Sequence, residues 1–363
     1  MRARACIDPV ALRHNLARAR ELSPGARMLA VIKSNGYGHG LIRVANALST
    51  TLEDRDGFAV TNVEEAITLR EAGVSRRIVI LEGFFSPEEL DLLRTHRLDT
   101  VVHHETQIAM LESAEAGRPV TAWLKVDTGM HRLGVSPAQV ADAWKRLCGC
   151  VNVGSPVLLM SHLGRADERQ HADARRQIDH FHSLAARLGA AESSLANSAG
   201  VLAWPGARAG WIRPGIMLYG ISPFPLENGK ESELMPAMTL STRLISVHRI
   251  PRGGGIGYGG TWVCPEEMPV GVAAIGYGEG YPRAAPSGCP VLVNGGRVPL
   301  IGRVSMDMIT LDLRTQPDAR VGDRVVLWGK GLPVEEVARL SGTIGYELVC
   351  RVTTRVEFVT ESA

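Results

Sequence analysis

The sequence predicts an α/β fold: an N-terminal (β/α)8 TIM-like barrel followed by a mainly β C-terminal domain. Two observations carry this. Eight short β-branched runs alternate with longer stretches of helical spacing over the first two-thirds of the chain. After about Pro236 the texture changes to short β-rich runs separated by Gly, Pro and Asn. A chain of 363 residues has room for both. The expected division is residues 9–235 for the barrel and 236–363 for the second domain, which also takes an N-terminal strand from residues 1–8. A doubly wound open sheet is the alternative for the alternating part.

The barrel strands are expected at Met28–Lys33, Gly57–Val60, Ile78–Leu81, Asp99–Val102, Val120–Asp127, Val157–His162, Ser194–Asn197 and Trp211–Arg213. Asp8 followed by Pro9 reads as the cap and first residue of a helix through Glu21. Further helices are expected at Asn62–Glu71, Pro87–Thr95, Glu105–Glu115 and Gln170–Leu188. In the second domain, strands are expected at Met238–Ile250, Val270–Ile275, Pro290–Asn294, Val298–Ile301, Met308–Leu313 and Arg324–Trp328, with one helix, Val334–Leu340. No internal repeat or low-complexity segment interrupts the pattern.

Composition narrows the function. Lys and Arg number 40 against 38 Asp and Glu, so no strong field draws in nucleic acid or an acidic membrane surface. Hydrophobic residues make up 45% of the chain and charged residues 21%, as in globular proteins, and no run is long and apolar enough to span a bilayer. The N-terminus lacks the apolar run of a signal peptide, so the protein is expected in the cytoplasm. Six cysteines form no C-x-x-C pair and read as reduced, mostly buried thiols; no metal site is expected from the histidines either.

Barrel enzymes place their chemistry at the carboxyl ends of the strands. Lys33 stands at the end of the first expected strand, Arg132 after the fifth, His162 at the end of the sixth, Ser198 after the seventh, and Arg213 at the end of the eighth. A lysine ending the apolar run Ala30-Val31-Ile32 either snorkels out of the barrel mouth or sheds its charge, and a Schiff base with an aldehyde cofactor is one way to shed it. Gly36, Gly38 and Gly40 around Tyr37 and His39 would let backbone approach a ligand, and Tyr37 offers a hydroxyl to a phosphate. Ser198 with the amides near Gly215 and Ile216 lies after strands seven and eight, where barrels often hold phosphate. The run Gly255-Ile256-Gly257-Tyr258-Gly259-Gly260 satisfies G-x-G-x-x-G. It lies late in the chain, and strand-forming Thr261-Trp262-Val263-Cys264 follows it, which argues against a dinucleotide site.

Together these segments resemble the alanine racemase family. The similarity begins at Ala30–Gly40 and continues through Trp123–Gly134, Met160–Leu163, Asn197–Ala199 and Arg213–Gly220. It resumes at Gly257–Gly259, Ala274–Arg283 and Gly302–Asp307 and ends near Gly345-Tyr346-Glu347, so it covers both domains in order. The resemblance implies a homodimeric isomerase that interconverts L-alanine and D-alanine on a pyridoxal 5'-phosphate aldimine. It would supply D-alanine for peptidoglycan or serve alanine catabolism. Lys33 would hold the cofactor, and Tyr37, Ser198, Gly215, Ile216 and Tyr346 would bind its phosphate. Arg213 would face the pyridine nitrogen. Arg132 would touch the phenolic oxygen and the substrate carboxylate, with the backbone at Met306 supplied by a second subunit. Tyr258, also from that subunit, would be the second catalytic base beside Lys33, with His162 next to it. Lys125 matches a position that is carbamylated in many members, Asp307 would support the site, and Asp167, Tyr277, Arg283 and Arg303 would line an entrance corridor. Ser305, where some members have Cys, and the tail Thr353–Phe358 depart from the commoner pattern.

These residue types suit inversion of an α-carbon. The reaction removes a proton from one face and returns one to the other, which two opposed bases do directly. If Lys33 and Tyr258 come from different chains, activity requires the dimer. A racemase for serine or basic amino acids, a decarboxylase of the same architecture, and a non-catalytic cofactor carrier are the competing readings. The Tyr258 context argues against the decarboxylase, and Tyr258 with the second domain argues against the carrier.

Overall fold

The computed structural model describes residues 3–361. Residues 1, 2, 362 and 363, which the expected second domain includes, lie outside the described residues. The chain forms two compact units: residues 15–36 with 40–218, and the remainder of the described chain, namely its start, residues 37–39 and everything from Tyr219 onward.

The first strand, β1 (Arg4–Ile7), belongs to the second unit. The first unit is a closed barrel of eight parallel strands in sequential order: β2 (Arg27–Val31), β3 (Gly57–Val60), β4 (Arg77–Ile80), β5 (Asp99–Val102), β6 (Ala122–Lys125), β7 (Leu158–Met160), β8 (Ser193–Ser194) and β9 (Trp211–Ile212). β9 returns to β2 through Arg27↔Trp211 and Met28↔Ile212. Parallel strands covered on both faces need unbroken apolar runs, and Gly57–Val60, Asp99–Val102 and Ala122–Lys125 are buried at every residue. Even polar Asp99 is covered: its carboxylate accepts the Trp123 indole N–H at 3.1 Å and pairs with Arg77.

Helices follow the strands, and several start where short polar caps stand. Asn62 accepts from the Glu65 amide before Val63–Glu71, and Ser86 from the Glu89 amide before Pro87–His96. The structure adds three helices the sequence reading missed, Leu41–Ser49, Val140–Gly149 and the short Ser198–Ala203. It also shortens the later strands. β2 ends at Val31, and β7, β8 and β9 span three, two and two residues, so Lys33, His162 and Arg213 do not end strands as expected. They lie one or two residues beyond, where the backbone leaves the ladder and can turn a side chain over the barrel mouth.

In the second unit, β1 joins β10 (Met238–Ile250), the ribbon β11 (Gly255–Ile256) and β12 (Trp262–Val263), then β13 (Met268–Ala273), β14 (Pro290–Val293), β15 (Gly296–Ile301), β16 (Ile309–Asp312), β17 (Arg324–Trp328) and β18 (Glu357–Thr360). The large sheet runs β13-β16-β15-β14-β17-β10-β1-β18, and β10 also pairs with β13. The thirteen-residue β10 manages both because its register shifts at Leu240/Ser241 and again between Leu244 and Ser246. Such irregularities bend a strand and let it serve two neighbours. Two helices, Val334–Leu340 and Gly345–Cys350, stand where one was expected.

All six cysteines are free thiols. The expectation that most are buried fails, because only Cys264 and Cys289 are, while Cys148 and Cys350 are exposed. Among the described residues no helix is long and apolar enough to cross a membrane, and no cluster of His, Cys, Asp or Glu is placed to hold a metal.

Candidate active site

The barrel mouth begins with an unusual turn. After Ile32, Lys33 opens the turn Lys33–Tyr37, in which Ser34, Asn35, Gly36 and Tyr37 all have positive φ, between 49° and 62°. Left-handed backbone costs about 1–2 kcal/mol per non-glycine residue, so such a run has to be held by its surroundings. Here Glu65 Oε1 accepts the Asn35 amide at 3.0 Å, Asn35 Oδ1 accepts the Leu41 amide at 2.8 Å, and Ile32 O accepts the Gly36 amide at 2.8 Å. The turn leaves Lys33 half-buried.

Lys125, the last residue of β6, is only 8% exposed. Burial, reinforced by the charges of Arg213, Arg132 and Lys33, pulls its ammonium down to about 8. Arg213, one residue past β9, is buried and lowered by desolvation to about 10, so it stays charged at neutral pH. Its guanidinium is fixed on several sides. Nη1 donates to Ser194 Oγ at 2.5 Å, and Nη2 donates to Ser161 O at 2.6 Å and to His162 Nδ1 at 3.3 Å. The other ring nitrogen of His162 lies 3.3 Å from the Asn197 amide nitrogen. An imidazolium would turn an N–H toward a donor on both sides. Desolvation and the four neighbouring cations push in the same direction, well below the usual histidine value, and His162 is held neutral.

Lys33, Lys125, Arg132 and Arg213 thus share one region, and no ion pair to any of them occurs among the described residues. The nearby carboxylate, Asp127, is already used: it accepts the amides of Gly129, Met130 and His131 and pairs with the His131 ring. A region with four cations and, among the described residues, no ion pair to any of them is suited to an anionic ligand. Ser198 sits close by. Its hydroxyl accepts the Gly215 amide at 2.9 Å and the Met217 amide at 3.3 Å, gathering a hydroxyl and backbone N–H groups at the start of the short helix Ser198–Ala203; Ile216 beside them is buried. Asp167 lies half-buried in the loop after His162.

The remaining candidates belong to the second unit. Tyr37 is nearly buried, stacks on Tyr219 with ring centroids 4.7 Å apart, and lies 6.3 Å from the half-buried Tyr346. Burial raises its hydroxyl above the usual tyrosine value. Tyr258 projects from the turn between β11 and β12, 71% exposed. Arg303 lies beside that turn, against the backbone of Gly257 and Gly259. Met306 is exposed, and its carbonyl accepts the Gly278 amide at 2.8 Å while Ser305 O accepts the Tyr277 amide. Asp307 pairs with Arg355, and Tyr277 and Arg283 are exposed.

Sequence reasoning missed the residues that hold these groups. Ser161, Ser194 and Asn197 orient Arg213 and His162; Gln177 donates to the His162 carbonyl and to Thr128; Tyr219 backs Tyr37. Tyr219 stands inside a segment already singled out, whereas Glu65 and Gln177 come from helices whose spacing signals only a covered face.

Two family profiles match the chain, "Alanine racemase, N-terminal domain" over residues 7–223 and "Alanine racemase, C-terminal domain" over residues 237–360. An alanine racemase of Nitrosococcus oceani is 54% identical over 352 residues, covering 97% of each chain, and one of Shewanella denitrificans is 51% identical over 353 residues with the same coverage. Among solved structures, the biosynthetic alanine racemase of Pseudomonas aeruginosa superposes with a TM-score of 0.95 at 44% identity, covering 99% of each chain. The alanine racemase of Acinetobacter baumannii gives 0.93 at 33% identity, over 99% of this chain and 100% of its own. With both profiles in order along the chain and this identity over nearly its full length, the protein belongs to the alanine racemase family.

Proposed function

We propose that the protein interconverts L-alanine and D-alanine, using pyridoxal 5'-phosphate held on Lys33 and two bases on opposite faces of the α-carbon. The observation that carries this reading is the set of four cations at the barrel mouth, none with an ion-pair partner among the described residues, in a chain of this family. The residues fit the cofactor by their chemistry. Lys33 is a primary amine at the mouth, Ser198 with the Gly215 and Ile216 backbone is a hydroxyl-and-amide cradle for phosphate, and Tyr37 and Tyr346 are neighbouring phenols. When bound, pyridoxal phosphate spreads the negative charge left on the α-carbon and so lowers the barrier to losing its hydrogen as a proton.

The chain's own groups do the rest. Arg132 binds the substrate carboxylate, which neutralises part of the cationic cluster and orients the α-carbon. Lys33 Nζ takes or returns a proton on one face. On the other face the same role falls to Tyr258 of the partner subunit, with the backbone at the partner subunit's Met306 beside the carboxylate. A tyrosine gives up its proton only at a reference pKa of about 10, so that base needs positive charge and a neutral hydrogen-bond partner nearby. Arg213 supplies the charge, and burial together with that charge keeps His162 neutral. Arg213 also cannot accept a proton, so it can only donate to the ring nitrogen of the cofactor. Lys125 beside Arg132 carries a carbamate, which converts a repulsion into a charge-assisted hydrogen bond. Asp167, Tyr277, Arg283 and Arg303 line the entrance corridor, and Asp307 braces the Met306 segment. The active form is a homodimer with shared sites, placed in the cytoplasm, and its D-alanine feeds peptidoglycan or its alanine is catabolised.

Chiral amino-acid analysis after incubation with each L-amino acid tests the activity. Formation of D-alanine above all other D-isomers is expected; inversion of serine or lysine in preference to alanine would overturn the substrate assignment. Borohydride reduction and peptide mapping should place the cofactor on Lys33, and a label on any other lysine would refute its role.

A further inference from the structure

We propose that the second unit carries a separate binding site for a small organic cation with an apolar body, in a cavity of about 390 Å³ whose acidic group is Glu335. The walls are largely apolar, formed by Leu234, Leu332, Trp328 and Tyr219 among others, with His39 at one side. Nothing in the racemisation chemistry uses this cavity.

Two polar features mark it as more than loose packing. Glu335 is half-buried, and its Oε1 accepts the amides of Ser222 at 2.9 Å and Gly229 at 2.8 Å, which fixes the carboxylate in place. No Lys, Arg or His forms an ion pair with it among the described residues, and Glu231 nearby adds negative charge. Burial and that neighbour raise its carboxyl above the usual value, a penalty that a cation in the cavity relieves. Trp328, fully buried in the wall, has an indole Nε1 with no hydrogen-bond partner among the described residues. Buried donors are normally paired, so this one suits the π face of an aromatic occupant, an acceptor that a cationic and a neutral aromatic body both carry. Lys230 also lines the cavity but forms no ion pair with Glu335 among the described residues, so the fixed, half-buried carboxylate is the anchor for a cation, and the apolar walls select a compact aromatic body behind it.

The wall also reaches a residue assigned above to the cofactor. The Tyr219 ring stacks on Tyr37 at 4.7 Å and lies 4.6 Å from the His39 ring, so an occupant touches the groups that back the Tyr37 phenol.

Benzamidine is a suitable probe, with benzamide as a neutral analogue of the same shape. Calorimetric titration of the holoenzyme should show one benzamidine site per chain, bound roughly tenfold or more tighter than benzamide, the factor a charged hydrogen bond contributes. Glu335→Gln keeps an acceptor for both amides and should erase that preference, whereas Leu234→Trp should fill the cavity and abolish binding of both compounds. Density of the soaked crystal should place the amidine at Glu335. Equal binding of the two probes, unchanged affinity in Glu335→Gln, no binding at all, or density elsewhere would each overturn the proposal. Binding is read without turnover, so such a failure would leave the racemase reading untouched.

Discussion

Lys125 offers the sharpest test of the electrostatics at the barrel mouth. Its ammonium sits at about 8 instead of 10.5, because burial and three neighbouring cations disfavour the charge. A difference of that size corresponds to at most about 3.4 kcal/mol, at 1.36 kcal/mol per unit. The sign follows from the proton counts. Below pH 8 folded and unfolded chains are both protonated, and the folded state bears the full penalty. Between pH 8 and 10.5 the unfolded chain holds the extra proton, so stability rises with pH until the penalty is gone. Lys125→Met keeps the buried stem and removes the charge. In cofactor-free protein at pH 7 and low carbon dioxide, the variant should therefore be more stable than the wild type by about 2–3 kcal/mol, and this advantage should vanish by pH 10.5. Urea unfolding at matched protein concentration, repeated across that range, measures it. The same depressed value leaves about 9% of Lys125 as free amine at pH 7, roughly 300-fold more than an ordinary lysine, and free amine is the form that carbon dioxide carbamylates. Adding bicarbonate should accordingly raise wild-type stability toward that of the variant. A variant that is less stable at pH 7, or a gap that does not close as pH rises, would refute the picture of an uncompensated cation. No carboxyl adduct on Lys125 by mass spectrometry under bicarbonate would refute its carbamylation.

Other outcomes follow from the same geometry. Tyr258→Phe should lower racemisation by about a thousandfold, within the range for a lost general base, while cofactor absorbance persists; solvent-deuterium exchange should fall far more from L-alanine than from D-alanine, and equal losses would reject its assignment to one face. Mixed dimers of Lys33→Ala and Tyr258→Phe chains should regain activity through one intact composite site, and no recovery in dimers verified by mass would place both bases in one chain. Arg213→Glu should cut racemisation and produce pyruvate during incubation with alanine, because a carboxylate would stabilise a protonated ring nitrogen on the bound cofactor where a guanidinium would favour an unprotonated one; a loss of activity with no pyruvate would mean that Arg213 only orders the mouth. Gly38→Ala should destabilise by about 3 kcal/mol or more in thermal or urea unfolding, since φ is +77° and the new Cβ would lie 2.1 Å from Val349 O, whereas Gly73→Ala, at φ +86° with open space around it, should cost only about 1 kcal/mol. Equal losses in the two variants would contradict the close approach.

Much of the architecture was legible in advance. Gly57–Val60 and Asp99–Val102 were read at their observed bounds, as were Met238–Ile250 and Arg324–Trp328, because a strand buried on both faces or cleanly bounded by turn residues leaves an unbroken signal. The Ser193–Ser194 and Trp211–Ile212 strands were overextended. Their ends are set by where the ladder to a neighbour stops, and that neighbour is distant in sequence. The helix Leu41–Ser49 was missed beside a glycine-rich segment that reads as a loop, although its buried face is supplied by Val44, Ala45 and Leu48.

The sequence by itself determined the fold class, the family, and the residue types available for chemistry: an amine at Lys33, guanidinium groups at Arg132 and Arg213, an imidazole at His162. Those follow from local spacing and from motifs contiguous in the chain. Only the tertiary structure decided their charge states and orientation. His162 is neutral because the fold buries it and sets it among cations, foremost Arg213, 51 residues away, whose Nη2 lies 3.3 Å from its Nδ1. Lys125 is depressed because it is buried and because barrel closure brings cations from the ends of three strands, β2, β6 and β9, into one poorly solvated mouth. Electrostatic coupling depends on distance and burial, and neither is a property of neighbours along the chain.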